Sequence, residues 1–224
     1  MLLLLACAPV PTAMAGPPSY DTLKAGIEAR RQALAARWAE ADAEERPAVL
    51  SEARAAAFEA ITQELMPAWA GTPWAFYGTT QAPGQGDIAC GYYVSTVLRD
   101  AGFKVERVKM AQQASEYIIR SLTPESQILR RWGASPDAIV DAVAARGDGL
   151  DVVGLDYHVA FLVTREGKTQ MCHSNFFTPS EVLCEPAREA IALHSNVHVV
   201  GRILGDGLME AWLKGEAIPT VTPR

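Results

Sequence analysis

Apolar positions recur at helical spacing in the first third of the chain and at strand spacing in the last third. Between Tyr20 and Leu65, a stretch rich in Ala, Glu and Arg, one stripe is marked by Leu23, Ile27, Leu34 and Trp38 and a second by Leu50, Ala57, Ile61 and Leu65. This spacing puts each set on one face of a helix. Pro47 follows Glu44-Glu45-Arg46 and suits the first turn of the second helix, so residues 19–66 predict a helical hairpin.

From Pro67 to Gly86 the chain is dense in Gly, Pro, Thr and aromatic residues and reads as an ordered loop. A helix follows, with Cys90, Val94, Val97, Leu98 and Ala101 on one face and Gly102 closing it. Two more helices are expected, over Ala111 to Ser121 and over Pro136 to Arg146, the latter capped by Ser135. Strands are predicted over Leu150 to Val153, Tyr157 to Val163, Thr169 to Ser174 and Asn196 to Leu204, and residues 205–224 form a C-terminal helix and tail. Helices first and strands second, without strand–helix alternation, favour an α+β fold with an antiparallel sheet.

Composition narrows the function classes. With 224 residues, 49% apolar and 21% charged, the chain can bury a sizeable core. A net charge of −6 and no long basic run argue against binding the nucleic-acid backbone. Residues 1–15 form an apolar run ending at a small-x-small site, which resembles a secretory signal cleaved after Ala15. Leu4-Leu5-Ala6-Cys7 also resembles a bacterial lipoprotein signal, in which Cys7 is lipidated and anchors the protein to a membrane. Both readings place the protein outside the bacterial cytoplasm, in the periplasm or on the envelope. Export leaves Cys90, Cys172 and Cys184, an odd number, so one thiol stays unpaired within the chain. Cys172 and Cys184 are the candidate bridge and Cys90 the free thiol; spacing alone leaves the bridge open.

A cysteine at a helix start is placed for nucleophilic chemistry, because free peptide N–H groups and the helix dipole draw a thiol of ordinary pKa near ~8.5 toward neutrality. It then requires an imidazole to share its proton. His158 and His173 lie on two predicted strands joined at Arg165-Glu166-Gly167-Lys168. With Glu166-Gly167 as a two-residue loop, Ala160 falls opposite His173 and His158 opposite Asn175, so His158, His173 and Asn175 share a face. A three-residue loop makes Ser174 the polar neighbour of His158 instead. His194 and His198 read as structural.

The segments Pro73-Trp74-Ala75-Phe76-Tyr77-Gly78-Thr79, Asp87-Ile88-Ala89-Cys90-Gly91, His158-Val159-Ala160-Phe161-Leu162 and Met171-Cys172-His173-Ser174 resemble, in that order, motifs of the NlpC/P60 cysteine peptidases. The resemblance spans about Ala68 to Leu204 and implies a papain-like catalytic domain over 67–204, with Cys90 as nucleophile, His158 as general base and acid, and His173 as orienting residue. It also implies cleavage of amide bonds in peptidoglycan stem peptides, often beside a D-glutamyl residue, by a monomer without cofactor. Trp74 is the expected cleft wall, standing where the family commonly has a tyrosine, and Gln85 is a candidate oxyanion donor. Ala89-Cys90-Gly91 stands where the family usually has Asp-Cys-Ser-Gly.

Other readings compete. The same fold supports amidases and acyltransferases. A zinc module built on Cys90, His158, Cys172 and His173 lacks the close ligand pairs of structural zinc sites, and Cys172 and His173, adjacent on a strand, face opposite ways. A non-catalytic envelope-binding module is the third alternative.

Overall fold

The computed structural model describes residues 19–223; the signal-like segment and Cys7 lie outside the described residues. In chain order the elements are α1 (Tyr20–Glu40), α2 (Arg46–Glu59), a π-helical turn (Ala60–Leu65), α3 (Met66–Trp69), α4 (Cys90–Asp100), β1 (Lys104–Val105), α5 (Arg107–Ala111), α6 (Ser115–Leu122), β2 (Ile128–Trp132), α7 (Pro136–Ala144), β3 (Gly149–Gly154), β4 (Val159–Arg165), β5 (Lys168–Ser174), β6 (Val182–Pro186), β7 (Val197–Arg202), α8 (Asp206–Lys214) and β8 (Ala217–Ile218). The fold is α+β. Six strands form one antiparallel sheet in the order β2-β7-β3-β4-β5-β6, and β1 pairs with β8 in a small parallel ribbon.

Both faces of this sheet are covered, which explains the near-continuous apolar run of β4. Phe161, Val159 and Cys172 face a core shared with α4, α6 and the N-terminal helices, while Ala160, Leu162 and Met171 face a second core made with Ile139, Val140 and Val143 of α7. Two sheet glycines set the depth of α6. A Cβ at Gly154 would stand 2.4 Å from Ser115 Oγ, and one at Gly201 would stand 2.5 Å from Ile119 Cγ2.

The hairpin forms as its apolar stripes predict, and it packs on the body. Ile27, Trp38, Ala57, Ile61 and Leu65 belong to the same continuous core as Tyr93 and Phe161, so the core runs unbroken across residue 66. Tyr20 Oη donates to Asp100 (2.7 Å) and receives the Trp69 indole N–H (2.8 Å), tying the hairpin to the C-terminal end of α4, away from Cys90. Among the described residues no helix is long and apolar enough to cross a membrane.

Two local expectations change, and two edge strands form that the pattern did not predict. The helix expected over Ala111 to Ser121 is two helices, α5 and α6, because the chain turns at Gln112–Ala114 after the Ala111 carbonyl meets Gly91. Tyr157 and His158 belong to the turn between β3 and β4, where Leu155 N–H bonds the His158 carbonyl (2.9 Å), and β4 starts at Val159. The edge strands β2 and β6 carry no clear alternation, and tertiary pairing alone makes them strands.

Candidate active site

The β4–β5 hairpin takes the two-residue loop. Glu166 and Gly167 both have positive φ, 50° and 72°, and Arg165 pairs with Lys168. Such a turn matches the right-handed twist of its strands. The register reaches Phe161 opposite Cys172, and one further step puts Ala160 opposite His173. His158 and His173 therefore share a face, and their rings meet: His158 Nε2 and His173 Nδ1 are 2.7 Å apart.

The second nitrogen of His173 is also engaged. His173 Nε2 lies 3.0 Å from Glu185 Oε1 on β6. Burial and the neighbouring Glu189 push the Glu185 carboxyl above its ordinary value; when ionised it only accepts hydrogen bonds, and His173 then carries its proton on Nε2 and leaves Nδ1 bare. The bare nitrogen accepts from His158 Nε2–H, and His158 is left with a bare Nδ1. That atom is buried and has no hydrogen-bond partner. Burial, together with the neighbouring His173, lowers the His158 pKa to about 3, and burial lowers that of His173 to about 4. Both rings are neutral at neutral pH.

Cys90 is the first residue of α4 and is half-buried, with a free thiol. It lines a hollow of about 220 Å³ together with His158, Val159 and Ala114. The backbone N–H groups of Val159, Gly91 and Cys90 itself favour the thiolate, but burial outweighs them and the thiol pKa is pushed up. This corrects the expectation of a thiol drawn toward neutrality: helix-end donors are present, but the apolar surroundings that exclude water act more strongly on the charged form. The resting pair is thiol and neutral imidazole.

Glycines hold the thiol in place. A Cβ at Gly91 would stand 2.4 Å from the Ala111 carbonyl oxygen, so α5 can close on the first turn of α4 only because residue 91 has no side chain. A Cβ at Gly78 would stand 2.6 Å from Asp87 C and from Ile88 N, where the aromatic loop crosses the approach to Cys90. Ile88 N bonds Pro73 O (3.0 Å), Ala89 N bonds Gly78 O (2.9 Å), and Ser174 Oγ donates to Ile88 O (2.6 Å). The approach to the thiol is thus laced to the loop on one side and to β5 on the other.

A second, larger cavity of about 590 Å³ opens over Cys90. Its walls include Trp74, Phe76, Tyr77, Tyr92, Tyr157 and Phe176, and none of the described residues lining it is charged. Trp74 stacks obliquely on Phe176, with ring centroids 5.9 Å apart, and Phe176 in turn meets the His158 ring edge-on at 5.3 Å.

Cys90 shares one hollow with His158 and a second cavity with Trp74, and His173 is reached through His158, whereas two other predicted site residues lie apart. Gln85 is exposed and lines a separate depression beside Tyr20 and Pro67, because the turn at Ala82–Gln85 carries its side chain away from α4. Asn175 shares the face of His158 but turns to its own loop: Nδ2 donates to the Phe177 and Pro179 carbonyls, and Oδ1 accepts Phe177 N–H. Cys172 and Cys184 form a disulfide directly across β5 and β6, which removes Cys172 from any zinc ligand set. His198 is structural, bonding the Leu193 carbonyl at 2.9 Å.

Glu185 and Phe176 were not anticipated. The cysteines held the signal for Glu185: once Cys172 and Cys184 are opposite each other, Met171 is opposite Glu185, and Glu185 lies on the His173 face one diagonal away. Nothing in the spacing pointed to Phe176. The chain matches no protein-family model, no curated protein and no solved structure.

Proposed function

We propose that this protein is a cysteine hydrolase with a papain-like core of the NlpC/P60 kind, acting on amide bonds through a thioester acyl-enzyme. The observation that carries this reading is that His158, whose buried Nδ1 has no hydrogen-bond partner and whose other nitrogen is held by His173, lines the same hollow as Cys90, the only free thiol among the described residues. As Cys90 Sγ attacks the carbonyl carbon, His158 Nδ1 takes the thiol proton, and the carbonyl oxygen becomes an oxyanion. The N–H groups at the start of α4 are the donors in reach of that charge. His158 then protonates the leaving nitrogen, the C–N bond breaks and a thioester remains. Water attacks the thioester and gives a proton to His158, the C–S bond breaks to release the carboxylic acid, and His158 returns the proton to Cys90 Sγ. The carboxylate of Glu185, two hydrogen bonds away, stabilises the transient imidazolium.

The resemblance points to stem peptides of bacterial peptidoglycan as the amide substrate. The Cys172–Cys184 disulfide suits an oxidising compartment and so supports export, by a cleaved signal or a lipidated Cys7. The uncharged cavity over Cys90 favours, as a second reading, an amidase or acyl-transfer enzyme with the same thioester chemistry.

The test is intact-mass detection of an acyl adduct on Cys90 after mixing with a small activated ester, together with peptide release from purified peptidoglycan. The wild-type protein is expected to acylate and turn over, Cys90→Ala to do neither, and His158→Ala to lose at least 10³-fold in kcat/KM. Normal turnover by Cys90→Ala ends the proposal.

A further inference from the structure

The hollow beside His158 accounts for the reacting atoms, but the 590 Å³ cavity that also borders Cys90 is larger than chemistry at a carbonyl needs. Six aromatic side chains surround it. Three of them stand out in solvent at its rim: Phe76 is 72% exposed, Tyr77 88% and Tyr157 93%. Phe76 and Tyr77 hold each other edge-to-face, with centroids 4.9 Å apart, so the rim is organised without a partner from the core. Exposed aromatic groups gathered at the mouth of a nucleophile's cavity are a binding surface rather than scattered surface residues.

Its electrostatics are equally specific. One cation that touches the wall, Arg107, is spent behind it. Its guanidinium lies 4.9 Å from the Tyr92 ring centre and donates to Thr96 Oγ1, to Thr79 O and to Thr80 O. Gln112 Nε2 is likewise turned to Tyr92 Oη, at 3.3 Å. A substrate carboxylate entering this space would lose its water and find no cation to replace it.

We infer that the cavity is the acyl-group subsite and that it takes an uncharged, apolar acyl group, an aliphatic chain or an aromatic side chain, in preference to an acidic acyl group such as a glutamyl unit. The inference rests on the thioester reading and specifies its acyl half. It places the selectivity in the aromatic walls, with the leaving amine on the side of His158, which donates the proton to it.

Four p-nitrophenyl esters test it on the wild-type protein: acetate, hexanoate, 3-phenylpropionate and the singly charged glutarate. Burst amplitude and intact mass report acylation of Cys90, and kcat/KM reports selectivity. Hexanoate or phenylpropionate is expected to exceed acetate by roughly tenfold or more, as one or more apolar groups enter a hydrophobic pocket, and glutarate to fall below acetate. A lead for hexanoate identifies a chain-like acyl group, and a lead for phenylpropionate an aromatic residue of a peptide. Tyr157→Arg, at an exposed position whose loss leaves the core intact, is expected to raise the glutarate-to-hexanoate ratio several-fold. Acylation with glutarate equal to or faster than hexanoate overturns the inference and leaves the thioester reading standing. Failure of all four esters to acylate Cys90 overturns both.

Discussion

Glu185 and His158 are joined through His173 by two hydrogen bonds of 3.0 Å and 2.7 Å, and the direction of those bonds leaves His158 Nδ1 bare. Glu185 is thus a positioning residue that never touches the substrate. Glu185→Leu is expected to lower kcat about 10- to 100-fold with little change in KM, because it releases the His173 tautomer and withdraws the charge facing the imidazolium. Glu185→Gln, which still accepts from His173, is expected to recover much of that loss. Equal kcat in wild type and Glu185→Leu would show that the relay is structural only.

The two depressed imidazoles predict how stability follows pH. Their folded values, about 3 and about 4, lie below the ordinary 6.5, so the unfolded chain binds more protons as acid is added. Their contribution is complete above about pH 6.5 and is lost as pH falls toward the folded values, with a slope of up to about 1.4 kcal/mol per pH unit for each ring. The urea midpoint should therefore drop steeply between pH 6.5 and 4.5. The double variant His158→Phe/His173→Leu should flatten that part of the curve, and an equally steep curve would place the acid sensitivity elsewhere.

Burial of Cys90 predicts slow alkylation at neutral pH. Because the thiol is pushed up from its ordinary value, the rate with iodoacetamide should keep rising through pH 9, without a plateau near neutrality. A plateau below pH 7 would reveal a resting thiolate–imidazolium pair and contradict the neutral resting state. A neutral pair also requires the proton to move to His158 during attack, so kcat/KM should show a solvent deuterium isotope effect above unity.

Gly91→Ala tests the seat of the nucleophile. The added methyl meets the Ala111 carbonyl, a backbone atom that cannot rotate away, so α5 or the first turn of α4 must shift. A stability loss of about 1–3 kcal/mol is expected, with a fall in kcat as Sγ moves. Unchanged Tm and kcat would show that α5 yields freely.

The disulfide joins the residues next to His173 and Glu185 on the paired strands. Removing it as Cys172→Ala/Cys184→Ala opens a loop of sequence separation 12 and should cost about 3 kcal/mol by the loop-entropy model. Activity should fall further than stability alone requires, because edge strand β6 holds Glu185 against His173. Full activity at a temperature where the variant is folded would separate the bridge from the relay.

Much of this architecture was written in local pattern. The stripes of Leu23, Ile27, Leu34 and Trp38 and of Ala57, Ile61 and Leu65 specify the hairpin, the Ser135-Pro136 cap opens α7, and Glu166-Gly167 marks the turn, although the choice of a two-residue loop, which brings His158 and His173 to one face, came from the folded pairing. These features depend on a period or on one or two backbone conformations, and neighbours in sequence determine both. Contacts between distant segments decided the rest. Glu185 reaches His173 only through the pairing of β5 with β6, Gln85 is turned away from Cys90 by its own loop, and Phe176 meets His158 only in the folded cavity. The thiol pKa belongs to the same group: the helix start that lowers it is visible at Cys90, but the burial that raises it comes from the surrounding fold, and desolvation is a property of that whole surround.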